Sequence, residues 1–253
     1  MRDMFMLSEA GLARIEPFFP LPRGVGRVDD CKVISGIIHV IKNGLRWRDA
    51  PSEYGPYKTL YNRFKRWSKR GIFSKIFNDL SAEGGPPGVF MIDSTYIKVH
   101  RTACSLGEGG DTPRHIGRTK GGLNSKIHVI TDERGRPLSL CLTAGQVSDY
   151  VGAKILYEGL PQTQDVVMIA DKGYDSDEYR KALMAKGITP CIPPRKGRRS
   201  PAQFCKTTYK QRHKVENVFA RLKDWRRVAI RYDRCAHTFF SAVLIAAIVT
   251  YWI

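Results

Sequence analysis

Two short apolar runs, each closed by an aspartate, constrain the fold of this chain more than any other feature. "VFMI" leads into Asp93, and "VVMIA" leads into Asp171. Runs of this length, rich in Val, Ile and Met, read as buried strands. A carboxylate that ends a buried strand faces low dielectric, where it needs a counter-charge or several hydrogen bonds. For either acid alone a local bond suffices: Thr95 or a backbone amide for Asp93, and the following turn for Asp171. Two such acids joined by a third call for a shared explanation.

The third acid comes from "YKQRHKVENVFARLK", Tyr209 to Lys223. The stretch lacks Gly and Pro, and at about 100° per residue Val215, Val218, Phe219 and Leu222 share one face of a helix. Tyr209, Arg212, Glu216 and Lys223 then gather along the edge of that buried face rather than opposite it in water. Oxygen-only ligation by Asp93, Asp171 and Glu216 suits Mg²⁺ or Mn²⁺, and a pair of such ions serves phosphodiester chemistry. Arg212 and Lys223, on the edge that carries Glu216, are placed to clamp phosphates, and Tyr209 to stack on a displaced base.

Composition names the polymer. Lys and Arg number 42 against 24 Asp and Glu, a net charge of +18, with the excess clustered in "RFKRWSKR", "RKGRR" and "RRVAIRYDR". An anionic polymer, here a nucleic acid, is the natural partner. Six cysteines without a C-x-x-C pair indicate neither a zinc site nor a disulfide framework, and read as reduced thiols of a cytosol. Arg2, Asp3 and Glu9 interrupt the apolar residues that a secretory leader would need.

The organisation changes near the linker "SAEGGPPG", which divides a helical domain, 1–82, from an α/β domain, 83–253. Before the linker, a helix over 8–19 is capped by Ser8. A second is capped by Asp29 or Asp30, carries Val33, Ile34, Ile37, Ile38 and Ile41, and stops at Gly44. A third follows Pro56, with Leu60, Tyr61, Phe64 and Trp67 on one face and a row of cations on the other. Such a unit reads DNA in the manner of a helix-turn-helix, with Lys58, Asn62, Arg63 and Arg66 meeting groove or phosphate; the alternative is a solvated cationic face.

After the linker, "GVFMIDSTYIKVH", "SKIHVITDERG" and "RPLSLCLTAGQ" read as a three-strand meander. The strands "DVVMIAD" and "TPCIPP" then alternate with helices across "YVGAKILYEGL" and "SDEYRKALMAKG". The expected result is a mixed sheet with helices on both faces. The terminal "FFSAVLIAAIVTYWI" is too short for a comfortable membrane span and is expected to be a buried helix that covers the sheet. His100 and His128 are read as packing or phosphate-contact residues, and Asp149 and Asp175 as helix caps.

These residues resemble a known family. Tyr209, Arg212, Glu216 and Lys223 match the Y-(2)-R-(3)-E-(6)-K signature of DDE transposases from bacterial insertion sequences. "MIDSTYIKVH" and "IADKGYDS" resemble their first and second aspartate motifs. "GLRWRDAP", "YNRFKRW", "GRTKGGLNSKIH" and "AGQVSDY" resemble further segments of the IS-five-like subgroup, so the likeness covers nearly the whole chain. It implies a ribonuclease-H-like catalytic domain in which Asp93, Asp171 and Glu216 bind two ions of Mg²⁺ or Mn²⁺. The implied activity is excision and reinsertion of an element by DNA cleavage and strand transfer. The implied partners are double-stranded DNA, as terminal inverted repeats and target, and a second copy of the chain in the synaptic complex. The implied location is the cytoplasm, at the nucleoid. A nuclease that cuts without joining, or a non-catalytic DNA-binding descendant, are the alternatives. The Gly-rich stretch 104–122 is read as a loop without an assigned role.

Overall fold

The structure, a computed structural model, describes residues 4–21, 29–104 and 114–253. Residues 105–113 of the Gly-rich stretch lie outside the described residues. In chain order the helices begin with α1 (Glu9–Ile15), α2 (Asp30–Asn43), α3 (Tyr57–Lys69) and α4 (Ile72–Ala82). Strands β1 (Val89–Val99), β2 (Gly117–Thr119), β3 (Gly122–Thr131) and β4 (Pro137–Ala144) follow, then α5 (Asp149–Glu158), β5 (Val166–Ile169), α6 (Asp177–Ala185) and β6 (Ile188–Cys191). The chain ends with α7 (Lys206–Tyr209), α8 (His213–Lys223), α9 (Arg226–Ala229), β7 (Ile230–Arg231) and α10 (Ala236–Tyr251). It divides into two compact units: Met1–Leu80 with Val99–Arg114 and Leu222–Ile253, and Ser81–Lys98 with His115–Arg221.

The helix starts of the first unit follow the sequence closely. Ser8 Oγ accepts from Gly11 N, and Asp29 accepts from Lys32 N. Gly44 ends α2 at φ 69°, a left-handed conformation that a side chain would strain. Helix α4, which periodicity did not single out, buries Ile72, Phe73, Ile76, Phe77 and Leu80. The expectation that the apolar terminal helix covers the sheet is corrected in part. Helix α10 is buried as expected, but its main contacts are with α2, α3 and α9. A helix that is apolar all round does not reveal its partner.

Several basic side chains of this unit point inward. Arg63, expected at DNA, pairs with Asp30 and lies 5.2 Å from the Trp67 ring centroid, with its side chain only 10% exposed. Arg227 donates to Leu45 O and Asp233 Oδ1, each at 3.0 Å. Arg231, fully buried, donates to the carbonyls of Asp233 and Arg234. Guanidinium suits this use because its fork satisfies several acceptors at once.

In the second unit the sheet runs β2-β3-β1-β5-β6, with β4 also on β3. Strand β1 is antiparallel to β3 and parallel to β5, and β5 is parallel to β6. Phe90, Ile92, Ile130, Val166 and Met168 meet Ala153 and Leu156 of α5 and Tyr179 and Leu183 of α6 in one core, where each large side chain contributes roughly 1.5–3 kcal/mol. Met91 and Asp93 alternate to the other face. Strand β1 runs through Asp93 to Val99, as the reading of "GVFMIDSTYIKVH" as a strand predicts, because pairing with β3 does not depend on side-chain polarity. One sequence expectation shifts. The continuous helix expected over 209–223 is broken: a 3₁₀ turn, Lys210–Arg212, separates α7 from α8. Asp149 and Asp175 are not caps either. Ser148, just before Asp149, and Ser176, just after Asp175, cap α5 and α6.

Among the described residues no helix is long and apolar enough to cross a membrane.

His128 is a core residue. Its Nε2 lies 2.9 Å from Thr143 Oγ1, and a Cβ on Gly152 of α5 would stand 2.2 Å from its Nδ1. Burial lowers its pKa to about 4. With the unfolded value near 6.5, the folded state binds fewer protons between the two values, so the stabilisation is complete above pH 6.5 and is lost as pH falls through 4. The unfolding free energy of the parent is therefore expected to fall by about 3 kcal/mol more than that of His128→Gln between pH 7 and pH 4. Parallel pH profiles in denaturant titrations would contradict this.

Candidate active site

Strand register brings the two aspartates together. Met91 of β1 pairs with Ile169 of the parallel β5. Asp93 and Asp171 each stand two residues further on, so they leave neighbouring strands at one level. Asp93 Oδ1 accepts from Ser94 N at 2.8 Å, and its Oδ2 accepts from Arg212 Nη2 at 2.6 Å. Asp171 Oδ1 accepts from Gly173 N at 2.7 Å. A Cβ at position 173 would sit 2.8 Å from that oxygen, which explains the glycine. Glu216, on the first turn of α8, accepts from Arg212 Nη1 at 2.5 Å. Val215, Val218 and Phe219 are buried as the periodicity predicts.

The guanidinium of Arg212 thus bridges two of the three acids. Burial pushes the Asp93 pKa up to about 6 against the pull of Arg212 and the Ser94 amide, and the charges of Asp171 and Glu216 push the same way. Asp93 therefore feels both of the other carboxylates. Burial also opposes the charge of Arg212, but Asp93 above all, with Tyr209, Glu216 and Asp171, outweighs it and raises that pKa. The Tyr209 phenol is raised by burial and by the same acids, and its ring meets Phe204 edge-on at 5.5 Å.

Tyr209, Arg212, Glu216, Asp93 and Asp171 are therefore brought together. Lys223, the last residue of α8, is counted with the first unit, and burial lowers its amine pKa. Lys58, Asn62 and Arg66 are exposed on α3, whereas Arg63 is not.

Three carboxylates against one guanidinium make a hard, oxygen-rich donor set that fits a divalent cation chemically. As they stand around Arg212, no three metal-binding side chains among the described residues are close enough to hold one ion.

Two groups beside the acids escaped the sequence reading. Asp149 accepts from Ser94 Oγ at 2.6 Å and from Lys126 Nζ at 2.9 Å, and Lys126 is only 3% exposed. Burial opposes the Asp149 charge, but these two donors outweigh it and hold its pKa below the ordinary value. Asp175, with no side-chain exposure, accepts from Arg180 Nε, Arg198 Nη1 and Arg195 N, each at 2.8 Å. Arg195 in turn donates to the carbonyls of Lys172 and Gly173, which fixes the loop after Asp171. A lysine inside the apolar run "SKIHVI" was the available signal for the first group; the second had none.

The profile of the family described as "Transposase DDE domain" matches residues 84–251, and that described as "Putative transposase of IS4/5 family" matches residues 7–77. The chain is 34% identical over 140 residues to "Putative transposase for insertion sequence element IS402" of Burkholderia cepacia, an alignment that covers 49% of this chain and 64% of that protein. It is 33% identical over 126 residues to "Putative transposase for insertion sequence element IS6501" of Brucella ovis, covering 49% of this chain and 95% of that protein. The structure superposes on the piggyBac transposase of a synaptic complex with hairpin DNA at a TM-score of 0.56 and 9% identity, over 94% of this chain and 69% of that chain. That likeness shows the ribonuclease-H-like fold. With the first profile matched over well more than half its length, the chain belongs to the transposase DDE domain family.

Proposed function

We propose that this protein is a DDE transposase that binds the ends of an insertion sequence and catalyses metal-dependent DNA cleavage and strand transfer. The observation that carries this reading is that one guanidinium, Arg212, bridges Asp93 and Glu216 while Asp171 leaves the neighbouring strand at the level of Asp93. Asp93, Asp171 and Glu216 are the ligands in this reading. Two ions of Mg²⁺ or Mn²⁺ bound there supply activation of the attacking hydroxyl and stabilisation of the leaving oxygen. Arg212 then turns from the acids to the scissile phosphate, Lys223 holds a neighbouring phosphate, and Tyr209 supports a displaced base. Exposed Lys58, Asn62 and Arg66 of the amino-terminal helical domain, 1–82, meet the terminal repeats, and 83–253 forms the catalytic domain. A homodimer in the synaptic complex and a cytoplasmic, nucleoid-associated location complete the proposal.

Asp93→Asn removes one ligand charge and keeps the shape. Cleavage of end DNA in Mg²⁺ or Mn²⁺ is expected to slow by on the order of a thousandfold or more, about 4 kcal/mol in the barrier, while end binding in EDTA stays near the parental value. A folded variant that cuts at the parental rate would refute the metal assignment. A parent that binds ends and cuts with neither metal would make the chain a binding module. Joining of the cut end to a second duplex separates a transposase from a nuclease.

Arg212→Ala has two opposed effects. Cleavage slows, because the phosphate loses its clamp, yet Mn²⁺ titrated into the DNA-free protein and followed by EPR binds severalfold tighter, because no guanidinium neutralises Asp93 and Glu216. Weaker Mn²⁺ binding would mean that Arg212 props the acids in place.

Replacing Lys58 and Arg66 together by Ala in the full chain is expected to weaken binding to the terminal repeat and to flatten the salt dependence by about two counterions. An unchanged gel-shift titration would move end recognition to other surfaces.

A further inference from the structure

A cavity of about 690 Å³ opens in the second unit, and the proposed reaction leaves it unused. Its walls come largely from two sequence stretches to which no role was assigned, "GRTKGGLNSKIH" and "AGQVSDY", together with Tyr96, Gly173 and Arg195. Hydrogen bonds link its wall to both aspartates. Ser94 donates through its amide to Asp93 and through its hydroxyl to Asp149 in the wall, while Gly173, also in the wall, donates to Asp171.

The lining is cationic and carries one aromatic platform. Tyr96 lies opposite Lys126 in the β1–β3 register, with the ammonium 4.6 Å from the ring centroid and half of the tyrosine left exposed. Lys126 Nζ is held by Val147 O at 2.8 Å and by Asp149, so the platform has a fixed backing. Arg118 on β2 is exposed and makes no hydrogen bond or ion pair among the described residues. Arg118, Lys126 and Arg195 oppose the single carboxylate of Asp149, which Lys126 and Ser94 already occupy. The Gln146 amide lies over Gly117, where a Cβ would meet its Oε1 at 1.3 Å; glycine at 117 is what lets the amide reach this wall.

Cations select a phosphate, an exposed ring selects a flat base, and an amide reads an edge that can donate and accept hydrogen bonds. The volume is that of a small-ligand pocket and excludes a duplex. We propose that this cavity holds one unpaired nucleotide of the DNA strand that runs past Asp93 and Asp171, with its base on Tyr96 and its phosphate at Arg118. This rests on the DNA-directed reading of the acids above.

The test uses the full chain in EDTA, so that cleavage does not intervene. Its probes are a blunt duplex, the same duplex with a short unpaired tail that contains 2-aminopurine, and free dTMP. The parent is expected to bind the tailed duplex about tenfold more tightly than the blunt one, with quenched 2-aminopurine emission, as one stacked base predicts. Tyr96→Ala and Arg118→Ala should each remove most of that preference and change blunt-duplex affinity less than about twofold, and Tyr96→Phe should keep the preference. A tail that adds no affinity, or a preference that survives both alanine variants, would overturn the proposal while the reading of the acids stands. dTMP bound as tightly as the tail would make the cavity a mononucleotide site and overturn the strand assignment. Failure of the parent to bind either duplex would remove the DNA-directed reading together with the pocket.

Discussion

The bridge from Arg212 to Asp93 and Glu216 is the interaction on which the candidate site depends. Three carboxylates meet where a buried strand, its parallel neighbour and a helix converge, and like charges in that setting repel strongly. Without a cation the acids would have to take up protons or move apart. Burial above all pushes the Asp93 pKa up to about 6 despite the guanidinium, and the charges of Asp171 and Glu216 add to it. A 3₁₀ turn sets Arg212 at the head of α8, while the buried Val215, Val218 and Phe219 fix the helix that carries Glu216. One cation therefore compensates two of the three acids at once.

The charge of the chain has to be discounted in the same light. A net +18 suggests a broad basic surface, yet Arg63, Arg180, Arg227 and Arg231 are buried and occupied by carboxylates and carbonyls. Arg195 and Arg198 are tied to the loop after Asp171 and to Asp175. These guanidiniums are structural struts. The sum of charges points to a polyanion, but only the exposed remainder, such as Lys58, Arg66 and Arg118, is available to meet it.

Much of this was legible in the sequence because it rests on local rules. Ser8, Asp29 and Gly44 begin and end helices as capping chemistry requires, and the order of strands and helices after the linker follows from their periods. Pairing is not local, and there the sequence was mute. Nothing in "FFSAVLIAAIVTYWI" says that α10 packs on α2 and α3, because a uniformly apolar helix suits any apolar face. Nor do "SDY" and "YDSD" say which residue caps: serine takes the cap in both, and the aspartates are recruited by lysine and arginine from distant elements.

That recruitment also separates two kinds of acid that look alike in sequence. Asp149 and Asp175 receive full-strength donors from Lys126, Arg180 and Arg198, so their charges are spent on holding loops in place. Asp93, Asp171 and Glu216 share one guanidinium and two backbone amides among three carboxylates. An acid with its full complement of partners has no capacity left for a ligand, and an acid without it does. By that criterion the under-compensated set is the one with acceptor capacity to spare. The satisfied set is tied to it: Ser94 donates to both Asp93 and Asp149, and Arg195 links Asp175 to the loop after Asp171.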